Sequence, residues 1–367
     1  MIQLNPDLKY VLALIQLKGI GDTTARKLVE HYDSAENVFE KILEKTEQTK
    51  WSDKIIQVIK SGVNWRLIDE ELAYLTRNDI RGLIITDKDY PRRLKFCSDA
   101  PMVIYVRGNV SLNHPKILAV VGTRRATAQG KKITMEIIEG LANQNVLIIS
   151  GLAFGIDIVA HQSAIRSNLP TIGVIAHGMD RIYPAEHTGV ANSMEENGAI
   201  ISEFKSGTKP DRENFPKRNR IVAGMADAVL VVESQKKGGS MITADLGFGY
   251  GRDVFAVPGR PGDKQSEGCN YLIRNNKAAL VESAKDIMYV MNWEEVQRPK
   301  EIQKQLFIDL TPEEEKLFSL LKDQKKMPLD ELCFSAGISM SSASVPILTM
   351  ELNGLIRTLP GKMIELV

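Results

Sequence analysis

The sequence predicts an α/β protein built on a central, doubly wound and mostly parallel sheet, with a helical segment before it and a winged helix after it. Three observations carry this. Between Leu83 and Val257, eight short apolar runs recur without alternating with polar residues, as strands covered on both faces do. Helix-type patterns over 128–142, 155–167 and 239–250 lie between them and supply the crossovers of a Rossmann-like sheet. Two of the runs stop abruptly at a glycine, in VVGTRRATAQG and in VLIISGLAFGIDIVA. A strand that gives way to a helix through a Gly turn leaves free N–H groups at the strand's carboxyl end. That edge is an anion site, and the first one also carries Arg124 and Arg125. A phosphate-bearing ligand is the economical reading.

Composition bounds the rest. At 367 residues the chain is too long for one ordinary core, so two or three domains are expected. Hydrophobic and charged fractions of 43% and 25% are those of a globular protein. No run reaches the roughly 18–20 apolar residues of a membrane span, and MIQLNPDLKY lacks a signal-peptide pattern. A cytoplasmic protein with no membrane partner is expected. Cys97, Cys269 and Cys333 are far apart and odd in number, which suits a reducing compartment and forms neither a disulfide framework nor a zinc site. Lys and Arg total 47 against 46 Asp and Glu, so any polyanion must be held by local clusters rather than by net charge. Such clusters occur at Arg92-Arg93-x-Lys95, Arg124-Arg125, Lys131-Lys132, Lys217-Arg218-x-Arg220 and Lys236-Lys237.

In chain order, residues 1–78 read as helical. Leu17-x-Gly19-Ile20-Gly21, followed by Ala25 and Leu28, allows a tight turn between two helices. It serves equally a small packing domain and a SAM or helix-hairpin-helix-like module. The sheet domain spans 79–292, with candidate strands Leu83–Ile85, Val103–Arg107, Ile117–Val121, Val146–Ile149, Thr171–Ile175, Ala199–Ser202, Ala228–Val232 and Val254–Val257. Residues 293–309 are polar and read as a linker. In 310–367, Thr311 is a plausible N-cap before Pro312; three helical patterns and two short apolar runs hinged by Pro360-Gly361 make a winged helix.

Four further stretches meet the glycine-bearing edge: GMDRIYP, with Arg181; ENFPKRNRIVAG, with Lys217, Arg218, Asn219 and Arg220 at or near a helix start; GGSMITA; and VPGRPGD. Gly238 and Gly239 permit close backbone approach, and the hydroxyls of Ser240 and Thr243 can donate to an anion. No Gly-Lys-Ser/Thr occurs, so none of these is a Walker A loop, and without GxGxxG after the first strand the dinucleotide pattern is weak. Asp157 and His161, four apart, share a helix face and are expected to form a structural hydrogen-bonded pair. The five histidines show no metal-ligand spacing. Neither a metal nor another cofactor is expected, and no residue is assigned a catalytic role.

These stretches, with ISGLAFGIDIVAH, FPKRNRIVAG, GGSMITADL, GRDVFAVPG and GCNYLIRNNKA, resemble in order the bacterial DNA-processing protein A family (DprA, or Smf). The resemblance covers nearly the whole chain. It implies a single-stranded-DNA-binding protein that associates as a dimer through the sheet domain. It also implies a role in protecting incoming DNA and loading the RecA recombinase in natural transformation. The groove it implies is formed by Gly122, Thr123, Arg124, Arg125, Gly151, Phe154, Arg181, Lys217, Arg218, Asn219, Gly238, Gly239, Ser240 and Thr243, with Arg124 the leading phosphate contact. Ala185 departs from the lysine that many members carry after Tyr-Pro, so no contact is carried over to that position.

The alternative is a nucleotide-binding or nucleotide-hydrolysing enzyme of the lysine-decarboxylase-like group, whose signature is Pro-Gly-Gly-x-Gly-Thr-x-x-Glu. Lys237 to Asp245 keeps two of its glycines but loses the proline and the Gly-Thr, and puts Asp245 in place of the glutamate. Cleaving an N-glycosidic bond needs a placed carboxylate. The match is damaged where the chemistry would be.

Overall fold

The computed structural model describes residues 4–44, 51–293, 310–359 and 363–366. It divides into two compact units, Met1–Glu294 and Glu295–Val367.

The first unit begins with α1 (Leu8–Gln16), α2 (Asp22–Tyr32), α3 (Ala35–Glu44), α4 (Asp53–Lys60) and α5 (Trp65–Arg77). The glycine turn expected between the first two is present, with Gly19 at φ +99°. The start of α2 is engaged in packing: Asp22 accepts the Met102 N–H at 3.0 Å and sits 3.4 Å from Arg220. One continuous core joins these helices to the sheet, from Leu8 and Leu28 through Ile104 to Ile172 and Ile201.

The sheet comprises β1 (Arg81–Ile84), β2 (Val103–Gly108), β3 (Ile117–Val121), β4 (Leu147–Ser150), β5 (Thr171–Val174), β6 (Gly198–Ser202), β7 (Ala228–Val231), β8 (Asp253–Ala256) and β9 (Ala279–Leu280). Their order is β1-β2-β6-β5-β4-β3-β7-β8-β9. Only the β1/β2 and β2/β6 pairs are antiparallel; the remaining pairs run parallel. The eight expected strands are all present, shifted at their ends by up to two residues. The two-residue β9 gave no periodic signal.

Burial on both faces explains the unbroken apolar runs. In β3, Ile117, Ala119 and Val121 pack into the core shared with the N-terminal helices. Leu118 and Val120 pack into a second core on the other face, with Ile148, Phe255 and Trp293. Trp293, expected to open the linker, is therefore part of the folded unit; the rest of 293–309 lies outside the described residues.

The helices of the sheet region are α6 (Arg92–Lys95), α7 (Ala128–Gly140), α8 (Ile156–Arg166), α9 (Thr188–Met194), α10 (Asn214–Met225), α11 (Gly239–Gly249), α12 (Glu267–Arg274) and α13 (Ala284–Met291). From β3 the chain winds one way through β4 and β5 to β6, then returns to place β7 on β3's other side. The strand order thus reverses at the β3/β7 boundary, and open α/β sheets form their ligand crevice outside the carboxyl ends at such a point.

The second unit contains α14 (Pro312–Gln324), β10 (Lys326–Pro328), α15 (Leu329–Ala336), α16 (Met340–Leu352), β11 (Ile356–Leu359) and β12 (Met363–Leu366). Thr311 and Glu314 form a reciprocal capping box at the start of α14, as the Thr-Pro start suggests. A bend of 107° separates α15 from α16, the angle of a helix-turn-helix. The three strands pair antiparallel as β10-β12-β11. The hinge at Pro360-Gly361 and the wing residue Lys362 lie outside the described residues. Among the described residues no single helix is long and apolar enough to cross a membrane.

Candidate anion-binding cleft

A cleft of about 430 Å³ opens at the switch point. Gly122 to Arg125 follow β3 on one side of it, Ser234 and Gln235 follow β7 on the other, and α10 and the start of α11 close it. The first turn of an α-helix has no intrahelical acceptor for its N–H groups, so Gly239 and Ser240 at the α11 start present donors to this space, while the Gly238 N–H donates to the Gln235 carbonyl at 2.9 Å.

The two helix starts singled out by the glycine turns behave differently from expectation. The α7 start is already occupied: the Glu233 carboxylate accepts the Thr127 N–H at 2.9 Å and its hydroxyl at 2.5 Å. Thr127 in turn caps Gly130 N–H at 3.0 Å. The α8 start is tied to the β3 loop, with Ile156 N–H donating to the Thr123 carbonyl at 3.2 Å. That approach requires Gly155: its φ is +81°, and a Cβ there would lie 2.1 Å from the same carbonyl oxygen. The Gly239 and Ser240 N–H groups of α11 thus face the cleft, while the first two turns shape the loops that hold Arg124.

Arg218 is the centre of the cleft. It lies in the second turn of α10 rather than at its start, and is only 5% exposed. Its guanidinium covers the Gly151 backbone so closely that a Cβ at 151 would stand 1.4 Å from Nη1. No carboxylate lies within 4.0 Å of it among the described residues, and its Nε has no hydrogen-bond partner. Burial lowers its pKa to about 10, with Asp157 raising it and Arg124 lowering it further, so it remains a cation at neutral pH.

Asp157 corrects the expected pair with His161. Burial pushes its carboxyl up, while Arg218 beside it and the Ala153 N–H pull it down. His161 instead uses Nδ1 on the Thr171 hydroxyl at 2.8 Å, and its Nε2 is buried without a partner.

Arg124 is exposed and sits over the Phe215 ring, 5.0 Å from its centroid. Beside it a smaller pocket, lined by Arg124, Gly151, Phe154, Tyr183, Phe215 and Arg218, adjoins the cleft. Phe154 and Tyr183 are 45% and 50% exposed, large values for aromatic rings beside two arginines. Phe154 leans on His187 at 4.8 Å, and Tyr183 is anchored by its N–H to His177 Nε2 at 3.2 Å.

Of the expected groove residues, Gly122, Thr123, Arg124, Arg125, Arg218, Asn219, Gly238, Gly239, Ser240 and Thr243 line the cleft, and Gly151 and Phe154 line its side pocket. Arg181 and Lys217 line neither: Arg181 is bound to Asp180 at 2.6 Å, and Lys217 is exposed on α10. The Ser240 hydroxyl, expected to donate to an anion, donates to Ser234 Oγ at 2.8 Å. Arg220 is bound to Glu203 and Asp22. The Arg92–Lys95 cluster belongs to the opposite, amino edge of the sheet, where Arg93 pairs with Asp227 at 2.5 Å just before β7. Phe215, Tyr183 and Glu233 were not singled out by sequence. Their only signal is an aromatic ring or an acid next to motif residues.

Asp245, the residue in the place of a hydrolase glutamate, points away from the cleft and binds Lys277 at 2.7 Å.

Residues 81–292 match the family described as DNA recombination-mediator protein A, and residues 304–362 match the DprA winged helix domain. The Protein Smf of Synechocystis is 35% identical over 284 residues, covering 76% of this chain and 71% of that protein. The crystal structure of DNA processing protein A from Streptococcus pneumoniae superposes with a TM-score of 0.65 at 32% identity, over 78% of this chain and 98% of that one. DNA processing protein A from Helicobacter pylori, whose structure describes a single-stranded DNA binding mode, aligns with a TM-score of 0.53 at 29% identity, over 58% and 95%.

Proposed function

From the premise that this chain belongs to the DNA recombination-mediator protein A family, we propose that its cleft holds the backbone of single-stranded DNA. The observation that carries the reading is Arg218, a buried cation with no bound carboxylate, facing a cleft that also offers Arg124 and the α11 start. An unpaired buried charge is costly, and a phosphate is the partner whose charge and oxygens match it. The exposed rings of Phe154 and Tyr183 beside it suit unpaired bases, which stack on aromatic side chains without regard to sequence. The single-stranded DNA binding mode of the Helicobacter pylori relative supports the same ligand.

A binding role accounts for the cleft better than nucleotide hydrolysis. Asp245 faces away, and the carboxylate that does line the cleft, Asp157, accepts the Ala153 N–H and lies in the field of Arg218. The finer parts of the proposal are that the protein acts as a homodimer through its sheet domain, in the cytoplasm, and passes the strand to the RecA recombinase during natural transformation. The family's description as a recombination mediator supports this, and the half-exposed Leu280 on edge strand β9 offers an apolar edge for a second copy.

The test is a salt series with fluorescent oligonucleotides. Each phosphate neutralised contributes about −0.7 to the slope of log K against log salt for single strands. Arg124→Ala is expected to weaken all sequences alike and to flatten the slope by about that amount. Wild-type affinity and slope in the variant would remove Arg124 from the interface.

A further inference from the structure

The Lys131-Lys132 pair has no place in the cleft, yet the structure gives Lys131 one beside it. A groove of about 540 Å³ runs between α7 and α8, and begins at the same Arg124 and Arg125 that line the cleft. Its walls carry Arg125, Lys131 and Arg166, all exposed, and no carboxylate lines it. None of the three is in an ion pair among the described residues; Arg166 only donates to the Ser163 hydroxyl at 3.1 Å. The neighbouring Lys132 differs, being bridged to Glu136 at 3.7 Å.

The floor is apolar. Phe154 lies in the turn just before α8, Ile158, Gln162 and Arg166 follow at four-residue intervals along one face of α8, and Lys131 and Met135 do so on α7. An apolar strip edged by three unpaired cations matches a polymer with apolar bases and an anionic backbone. Its continuity with the cleft gives that polymer a way in.

We propose that this groove is a second DNA subsite, in which a single strand leaving the cleft past Phe154 lays its phosphates on Arg125, Lys131 and Arg166 and its bases on Ile158 and Met135. The proposal rests on the single-strand reading of the cleft and adds a direction to it. Binding should grow with strand length because the groove fills only after the cleft is full. A globular acidic partner would need charge alone and would leave the apolar floor without a role.

The experiment compares full-length wild type with the Lys131→Ala/Arg166→Ala double variant on oligothymidylates of about 4 to about 16 nucleotides. The shortest strands are expected to bind both alike. With long strands the variant should lose about tenfold or more in affinity, and its salt slope should flatten by about 1.4, two contacts' worth. Equal affinity at every length would overturn the groove while leaving the cleft reading in place. Equal loss at every length would also overturn it, because both residues would then act on the cleft itself. Arg124→Ala, measured on the shortest strands, tests the cleft separately. If wild type bound no oligonucleotide at all, both readings would fall together.

Discussion

Two arginines two positions apart on α10 show how little residue type alone decides. Arg220 is surrounded by Glu203, Asp22 and the Asp99 carbonyl, whereas Arg218 reaches over Gly151 toward the cleft with no bound acid. The motif FPKRNR displays both equally, and only the three-dimensional neighbours separate a structural cation from a binding one. Their truncations should therefore differ in kind. Arg220→Met leaves two carboxylates without their cation, and breaking such a buried pair typically costs about 3–5 kcal/mol of stability. Arg218→Met removes a buried charge with no bound carboxylate but also the attraction that helps keep the buried Asp157 ionised, so it should destabilise less than Arg220→Met. Its loss should instead fall on DNA: a hydrogen bond to a charged group is worth about 1.5–3 kcal/mol, or roughly ten- to more than a hundredfold in affinity. Denaturant titration and oligonucleotide binding on both variants separate the two. A strongly destabilised Arg218→Met with unchanged affinity would make Arg218 a fold residue. Asp157 teaches the same lesson. Its spacing from His161 was legible, but a third group, Arg218, decides which neighbour it answers.

At the scale of elements the sequence was most informative where burial is symmetrical. β3, β4 and β7 are covered on both faces, so their sequences are continuous apolar runs that end at polar or glycine-bearing loops. The least legible elements were those defined by partners: β9, whose two residues are exposed, and β10, formed by pairing with β12. Helix starts were half legible. The Gly turns marked where α7 and α8 begin, yet Glu233, more than a hundred residues from Thr127, closes the first of them.

His161 links three elements in a comparable way. On α8, it donates from Nδ1 to the Thr171 hydroxyl of β5, because that hydroxyl's own proton goes to the Ile148 carbonyl of β4 at 2.9 Å. Burial lowers its pKa to about 3, with Arg218 and His187 lowering it further. An unfolded histidine takes up a proton near 6.5 and the folded one does not, so the unfolded chain binds the extra proton. Stability should thus be full above about pH 6.5 and fall as pH drops toward 3, by up to about 1.4 kcal/mol per pH unit from this one site. His177, also lowered by burial, adds in the same direction. In His161→Gln the slope of unfolding free energy between pH 6 and pH 5 should be shallower by close to one proton. An unchanged slope would show that His161 titrates normally in the fold.

For the molecule as a whole, the two units divide the chemistry unequally. Every residue of the cleft, its side pocket and the α7–α8 groove belongs to the first unit. The second has the winged-helix shape of a duplex reader without the side chains of one. Its helix α16 contains no lysine or arginine, and it runs through Pro346 as a single helix. A major-groove helix presents Arg, Lys, Asn or Gln to base edges and phosphates. Here serines and apolar residues occupy the exposed positions, and in the wing Arg357 is tied to Glu365 at 2.7 Å. Of the large apolar residues of α16, Ile347 and Met350 are core. Val345, Leu348 and Leu352 are 71%, 56% and 80% exposed, and Phe334 on α15 is 89% exposed. A patch of that kind fits contact with protein better than contact with phosphate. Removing residues 310–367 should accordingly leave single-strand affinity and its salt slope nearly unchanged, because no phosphate contact is lost. A large loss of oligonucleotide affinity, in a truncated protein that circular dichroism shows to be folded, would instead make the winged helix part of the DNA path.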